Sequence, residues 1–194
     1  MSKGRLEAFS DGVIAVIITI MVLEIKPPPS PSGAALVSAA PAFLTYLLSF
    51  VFVGIYWNNH HHLLHAVHHI NGSILWANLH LLFWLSLAPF VTAWMGQNYL
   101  APLPVAAYGG VLLCAAVAYF VLTRVLLSVH GKDSQLAKAL GNDFKGKVSM
   151  CIYAAGIPLA FVHPLLSCLL YILVAIMWLV PDRRIERVLT NASN

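Results

Sequence analysis

Apolar residues run through this chain in blocks longer than a soluble helix or strand requires, separated by short clusters of Pro, Gly, Asn and charge. About 20 helical residues cross a hydrocarbon layer of about 30 Å, so cutting the sequence at those clusters predicts six helical spans. The first covers about residues 6–25 and stops at Lys26 and Pro27-Pro28-Pro29. The second, about 35–57, ends in Asn58-Asn59-His60-His61-His62, and the third, about 74–95, stops at Gly96-Gln97-Asn98. The fourth covers about 104–129. The last apolar stretch is too long for one crossing and breaks at His163-Pro164, giving short spans over about 148–162 and 165–181.

Composition makes the solvent explicit. The chain has 194 residues, of which 60% are hydrophobic and only 9% charged, against about 25% charged in an ordinary soluble domain. From Pro27 to Thr123 there is no Asp, Glu, Lys or Arg in 97 consecutive positions, and from Val148 to Pro181 none in another 34. A surface without charge is stable only against lipid. The expectation is an all-α integral membrane protein, with residues 1–194 forming one six-span membrane domain and no separate catalytic or nucleic-acid-binding unit. The first apolar segment carries Glu7, Asp11 and Glu24 and lacks a small-residue cleavage site, so it reads as a retained span and not a removable leader.

Charge sets the orientation. Six spans place Lys3, Arg5, Arg124, Lys132, Lys138, Lys145, Lys147, Arg183, Arg184 and Arg187 on one side and Lys26 alone on the other. By the positive-inside rule both termini are cytoplasmic. The net charge of +4 and the arginines beyond Pro181 then match contact with cytoplasmic lipid headgroups and imply no nucleic acid.

The candidate chemistry is sparse. Asp11 lies inside the first span with Arg5 and Ser10 nearby. A carboxylate there needs either an interfacial position near the helix N-terminus or a buried polar network. Val16, Ile20 and Leu23 follow i, i+4, i+7 spacing and form one aliphatic stripe with Thr19 beside it. Spacing alone leaves that stripe as core, lipid-facing surface or pore lining. Six of nine histidines, His60, His61, His62, His65, His68 and His69, cluster after the second span. His61 and His65, and His65 and His69, are i, i+4 pairs able to chelate a cation, but no Asp, Glu or Cys between Pro27 and Cys114 completes a site. The cluster reads as an interfacial helix end, with sensing of cytoplasmic pH a further possibility. Neither a metal nor a cofactor is expected. Cys114, Cys151 and Cys168 each lie in an apolar run and read as small buried hydrophobes. The carbonyl filter of Thr-Val-Gly-Tyr-Gly type is absent, as are phosphate loops and nucleophile elbows.

Three segments together resemble one family. Arg5-Leu6-Glu7-Ala8-Phe9-Ser10-Asp11 is similar to the Arg-x-x-x-Phe-Ser-Asp signature in the first helix of the transmembrane protein 175 potassium channels. Trp57-Asn58-Asn59-His60 resembles the Trp-x-x-His closing their second helix, and Asn78-Leu79 with Phe83 to Phe90 is similar to their third. The resemblance implies a homotetramer in a bacterial plasma membrane, with the first helix of each subunit lining a central potassium pore. It assigns Val16, Ile20 and Leu23 to successive hydrophobic constrictions, with Thr19 beside them, and Arg5, Phe9, Ser10, Asp11, His60 and Asn78 to a structural network that sets the pore helix. Val16 is smaller than the Ile or Leu common at the first ring of the family. The alternatives are a secondary transporter, for which paired repeats and a second embedded acid are lacking, a proton-conducting leak channel, and a histidine-dependent metal-binding membrane protein.

Overall fold

The computed structural model describes residues 2–67, 69–131, 137 and 143–179, and every regular element among them is helical. In chain order these are α1 (Lys3–Leu23), α2 (Gly33–Ser38), α3 (Ala40–His65), α4 (Gly72–Ser86), α5 (Ala88–Gln97), α6 (Pro102–His130), α7 (Phe144–Leu159) and α8 (Pro164–Leu179). Among the described residues four segments are long and apolar enough to cross a membrane: Lys3–Leu23, Ala40–His65, Gly72–Gln97 and Pro102–His130. His68, Lys132, Lys138, Arg183, Arg184, Arg187 and the end of the last expected span at 180–181 lie outside the described residues.

The boundaries follow local chemistry. Asn71 starts α4 by accepting the backbone N–H of Ile74 at 3.0 Å, and Asp143 starts α7 by accepting that of Gly146. Two expected spans differ in detail. The segment expected to start near 35 is interrupted at Ala39, with Pro41 in the first turn of α3, and α2 stands apart as a short helix. The second expected span, to about 57, ends within α3, which continues as helix through His65 and so carries the polar Asn and His residues on its last two turns. The third expected span is two helices meeting at Leu87, where Pro89 removes a backbone donor from the ladder.

Helix α6 is shared by both halves of the core. Its Ala115, Ala118, Leu122 and Leu126 pack with α1, α4 and the C-terminal part of α3. Its Val105, Ala106, Tyr108 and Leu112 pack with α5, α7, α8 and Phe52. Helix α1 lies against α3, α4 and α5, and buries Leu6, Ser10, Ile14, Ile17 and Met21, a single face at helical spacing.

The expected break in the last apolar stretch separates α7 from α8, each of 16 residues, and Trp178 of α8 donates to Ser149 of α7 at 2.9 Å. Tyr171 of α8 reaches between two glycines: its hydroxyl lies against Gly109 of α6 and its ring edge against Gly156 of α7. Tyr108 and Tyr153 flank the same ring, with centroids 6.0 and 6.1 Å away. A methyl group at Gly109 would overlap the Tyr171 hydroxyl, and an overpacked core costs about 1–3 kcal/mol. Gly109→Ala is therefore expected to lower the yield and thermal midpoint of folded protein in detergent, with Tyr171→Phe restoring part of the loss. Equal midpoints for Gly109→Ala and the wild type would show that the helices separate freely here.

Candidate functional site

The polar groups of α1 are sorted by helical geometry. At about 100° per residue, Ser10 points into the bundle with Leu6, Ile14, Ile17 and Met21. There it joins a hydrogen-bonded chain with one direction. His60 Nε2 of α3 lies 2.7 Å from the Asn78 Oδ1 of α4, an amide oxygen that only accepts, so the imidazole donates. Asn78 Nδ2 donates to Ser10 Oγ at 2.9 Å, and Ser10 donates to the Leu6 carbonyl of its own helix at 2.8 Å. Ser10, His60 and Asn78 are fully buried, and the chain satisfies the polar groups they bring into an apolar interior. It ties α1, α3 and α4 together near the N-terminal end of α1.

Asp11, one residue on, is turned aside by about 100°. It is half-buried and accepts from Trp57 Nε1 of α3 at 3.0 Å. Trp57 begins a row along α3 in which His61 stacks on Trp57 at 6.2 Å and on His65 at 6.1 Å between centroids. Lys3 pairs with Glu7 at 3.8 Å and donates to the His65 carbonyl at 3.0 Å, which closes the same end of the bundle.

The network expected from sequence is thus split. Ser10, His60 and Asn78 meet in one chain, while Asp11 is held separately by Trp57. Arg5 and Phe9 are in neither group: within a single chain both are exposed, on the face of α1 turned away from Ser10. The reason is angular, since Arg5 lies five residues and Phe9 one residue before Ser10, rotations of about 140° and 100° on a helix.

On that outward face stand Val16, Ile20 and Leu23, exposed to 54%, 41% and 80%. They share one line with Arg5 and Phe9. Thr19 is also exposed and donates to the Val16 carbonyl at 2.9 Å, so its proton is used within α1 and its oxygen lone pairs face outward. Small residues Gly4, Ala8, Gly12 and Ala15 lie alongside, and a methyl added at Gly4 or Gly12 would meet nothing within 4 Å.

A second polar group, at the other end of α1, was not read from the sequence as a unit. Thr92 of α5 lies 2.7 Å from Ser49 of α3, Ser49 lies 2.9 Å from the Tyr108 hydroxyl of α6, and Thr92 Oγ1 lies 3.9 Å from Met21 Sδ of α1. Isolated hydroxyls in apolar helices carry no periodic signature. Among the described residues no group of three or more His, Cys, Asp or Glu side chains converges on a metal-sized space.

Comparison with known proteins assigns the chain. Residues 5–89 match the family described as the endosomal/lysosomal potassium channel TMEM175. A potassium channel of Chryseobacterium sp. (strain P1-3) is 54% identical over 187 residues, which are 96% of this chain and 97% of that one. The crystal structure of a lysosomal potassium-selective channel TMEM175 homolog from Chamaesiphon minutus superposes with a TM-score of 0.80 at 30% identity, covering 92% of this chain and 96% of that chain. The human endosomal/lysosomal proton channel TMEM175 is 44% identical over 75 residues, 32% of this chain and 15% of that protein. With those matches beside the buried Ser10, Asn78 and His60 chain and the outward aliphatic line of α1, the protein belongs to the TMEM175 family of ion channels.

Proposed function

We propose that this protein is a potassium channel of the bacterial plasma membrane, a homotetramer in which α1 of each subunit lines a central pore. The observation that carries the reading is the division of α1 into two faces. One is sealed into the bundle, with its serine satisfied; the other presents Val16, Ile20 and Leu23 outward in a line running along the helix. Four copies of that line facing one axis make three aliphatic rings. The small residues beside it permit neighbouring helices to approach closely.

Potassium passes down its gradient through a constriction without a carbonyl filter. The barrier in such a pore is the hydration an ion must shed, and potassium loses its shell more readily than sodium, so aliphatic rings select modestly. Thr19, with its proton committed to the Val16 carbonyl, offers an oxygen to a partly hydrated cation between the first two rings. Each subunit is one domain over 1–194 with six spans and both termini in the cytoplasm. Supporting this are the ten-to-one division of Lys and Arg and the pairing of α7 with α8 as two short crossings. Lipid is its only other partner, with no cofactor and no nucleic acid.

The test is flux into liposomes carrying the purified protein. Potassium-driven flux faster than sodium flux, without a coupling ion, is the expected result; no flux under either gradient would overturn the reading. Proton conduction is a second reading, favoured by the match to the human relative named a proton channel. A pH-sensitive dye in the same vesicles separates the two.

A further inference from the structure

We infer that Thr92, Ser49 and Tyr108 are positioning residues that fix the C-terminal end of α1 and thereby set the two rings of Ile20 and Leu23. The inference rests on the reading that α1 lines the pore. Met21 is the last buried residue of α1, so beyond it nothing on the sealed face holds the helix. Its neighbours Ile20 and Leu23 carry two of the three rings. An unbranched thioether adapts to several placements and does not lock a helix by its own shape. What surrounds it must supply the constraint.

The surroundings are a buried hydroxyl cluster contributed by three other helices. Tyr108 and Ser49 lie 2.9 Å apart, Ser49 and Thr92 2.7 Å, and Thr92 and Met21 Sδ 3.9 Å. Thr92 donates to Ser49, which also accepts from Tyr108, so α3, α5 and α6 are joined at the Ser49 oxygen, and the Met21 thioether of α1 packs against the Thr92 hydroxyl at the edge of this cluster. Ser49 gives its own proton to the Thr45 carbonyl of its helix at 3.0 Å, which leaves its oxygen as the acceptor for both neighbours. In an apolar interior such groups are constrained by the cost of leaving any of them unpaired. Ser10 and Met21 are eleven residues apart, about 16 Å along the helix axis. The Ser10, Asn78 and His60 chain therefore anchors the end of α1 before Val16, and the hydroxyl cluster anchors the end after it.

Thr92→Val keeps the shape and removes the hydroxyl, while Thr92→Ser keeps the hydroxyl. Two readouts are taken on the full chain. The first is the potassium-to-sodium permeability ratio from reversal potentials in liposomes. The second is the distance between spin labels on neighbouring subunits at Leu23→Cys, with labels at Ser2→Cys as reference and Cys114, Cys151 and Cys168 replaced by Ala. Thr92→Val is expected to broaden the Leu23 distances and change the ratio at least twofold, leaving the Ser2 distances as they are, and Thr92→Ser to restore both. Wild-type values of either readout in Thr92→Val would overturn the inference. If the wild type conducts no potassium, the pore reading has failed, and the Leu23 distances alone still decide whether the cluster holds the helix.

Discussion

Asn78→Leu is expected to destabilise the protein by about 2–4 kcal/mol, because it leaves a buried imidazole donor and a buried serine oxygen without their partner. The substitution keeps the volume at position 78, so the loss measures hydrogen bonding and not a cavity. Asn78 uses both ends of its amide: Oδ1 takes the His60 proton and Nδ2 supplies Ser10, and all three residues are closed off from solvent. The thermal midpoint of the purified protein and the fraction surviving as assembled species in size-exclusion chromatography read the effect. Combining His60→Leu with Asn78→Leu tests the cause. Removing both partners of a buried hydrogen bond costs less than removing one, so the double variant is expected to be closer to the wild type than Asn78→Leu alone. A double variant that falls by the sum of the two single losses would mean that the side chains act separately and the directional chain contributes nothing of its own.

This chain also explains why part of the site was readable from residues. A His or Asn in an apolar helix is conspicuous, and the charge-free stretch from Pro27 to Thr123 leaves few groups to satisfy it. Ser10, His60 and Asn78 were named from the signature segments and meet in space. The partners of Asp11 were less accessible to sequence. Trp57 stood out as part of a motif, but only the crossing of α1 and α3 places its indole N–H against the carboxylate. Arg5 and Phe9 were grouped with Ser10 by the signature of the resembled family, and within a single chain rotation about the helix places them on another face.

Helix boundaries show the same division. Pro27-Pro28-Pro29 and the polar segment around Asn98 interrupt the chain where the sequence predicts, since proline and loop residues act locally. The breaks at Ala39 and Leu87 were not predicted, although Pro41 and Pro89 follow each by two residues. A proline in the first turn of a helix is a favourable start, and the same residue inside a longer apolar run reads as a kink; which outcome holds depends on neighbours that periodicity does not show. Four of the expected crossings correspond to long apolar helical segments, and α7 with α8 occupies the last expected stretch with 16 residues each. An integral membrane protein of the TMEM175 family is the description common to sequence and structure.

Val16→Ala is expected to raise potassium conductance and to lower the potassium-to-sodium permeability ratio toward one. Val16 is already the smallest of the three aliphatic side chains on the outward line of α1, and it is the first met from the cytoplasmic side in the proposed orientation. In the proposed tetramer, reducing it to a methyl widens that ring, so an ion crosses it with more of its hydration shell. Sodium, which gives up water at greater cost, gains more from the widening than potassium does. Ile20→Ala and Leu23→Ala provide the comparison. If one ring limits permeation, only its substitution shifts the reversal potential; if the three act in series, each raises conductance and none alone removes selectivity. The measurement is the reversal potential and unitary conductance of each variant in planar bilayers under potassium and sodium gradients. A Val16→Ala channel with wild-type values for both would place the selecting constriction beyond Val16, at the proposed rings of Ile20 and Leu23.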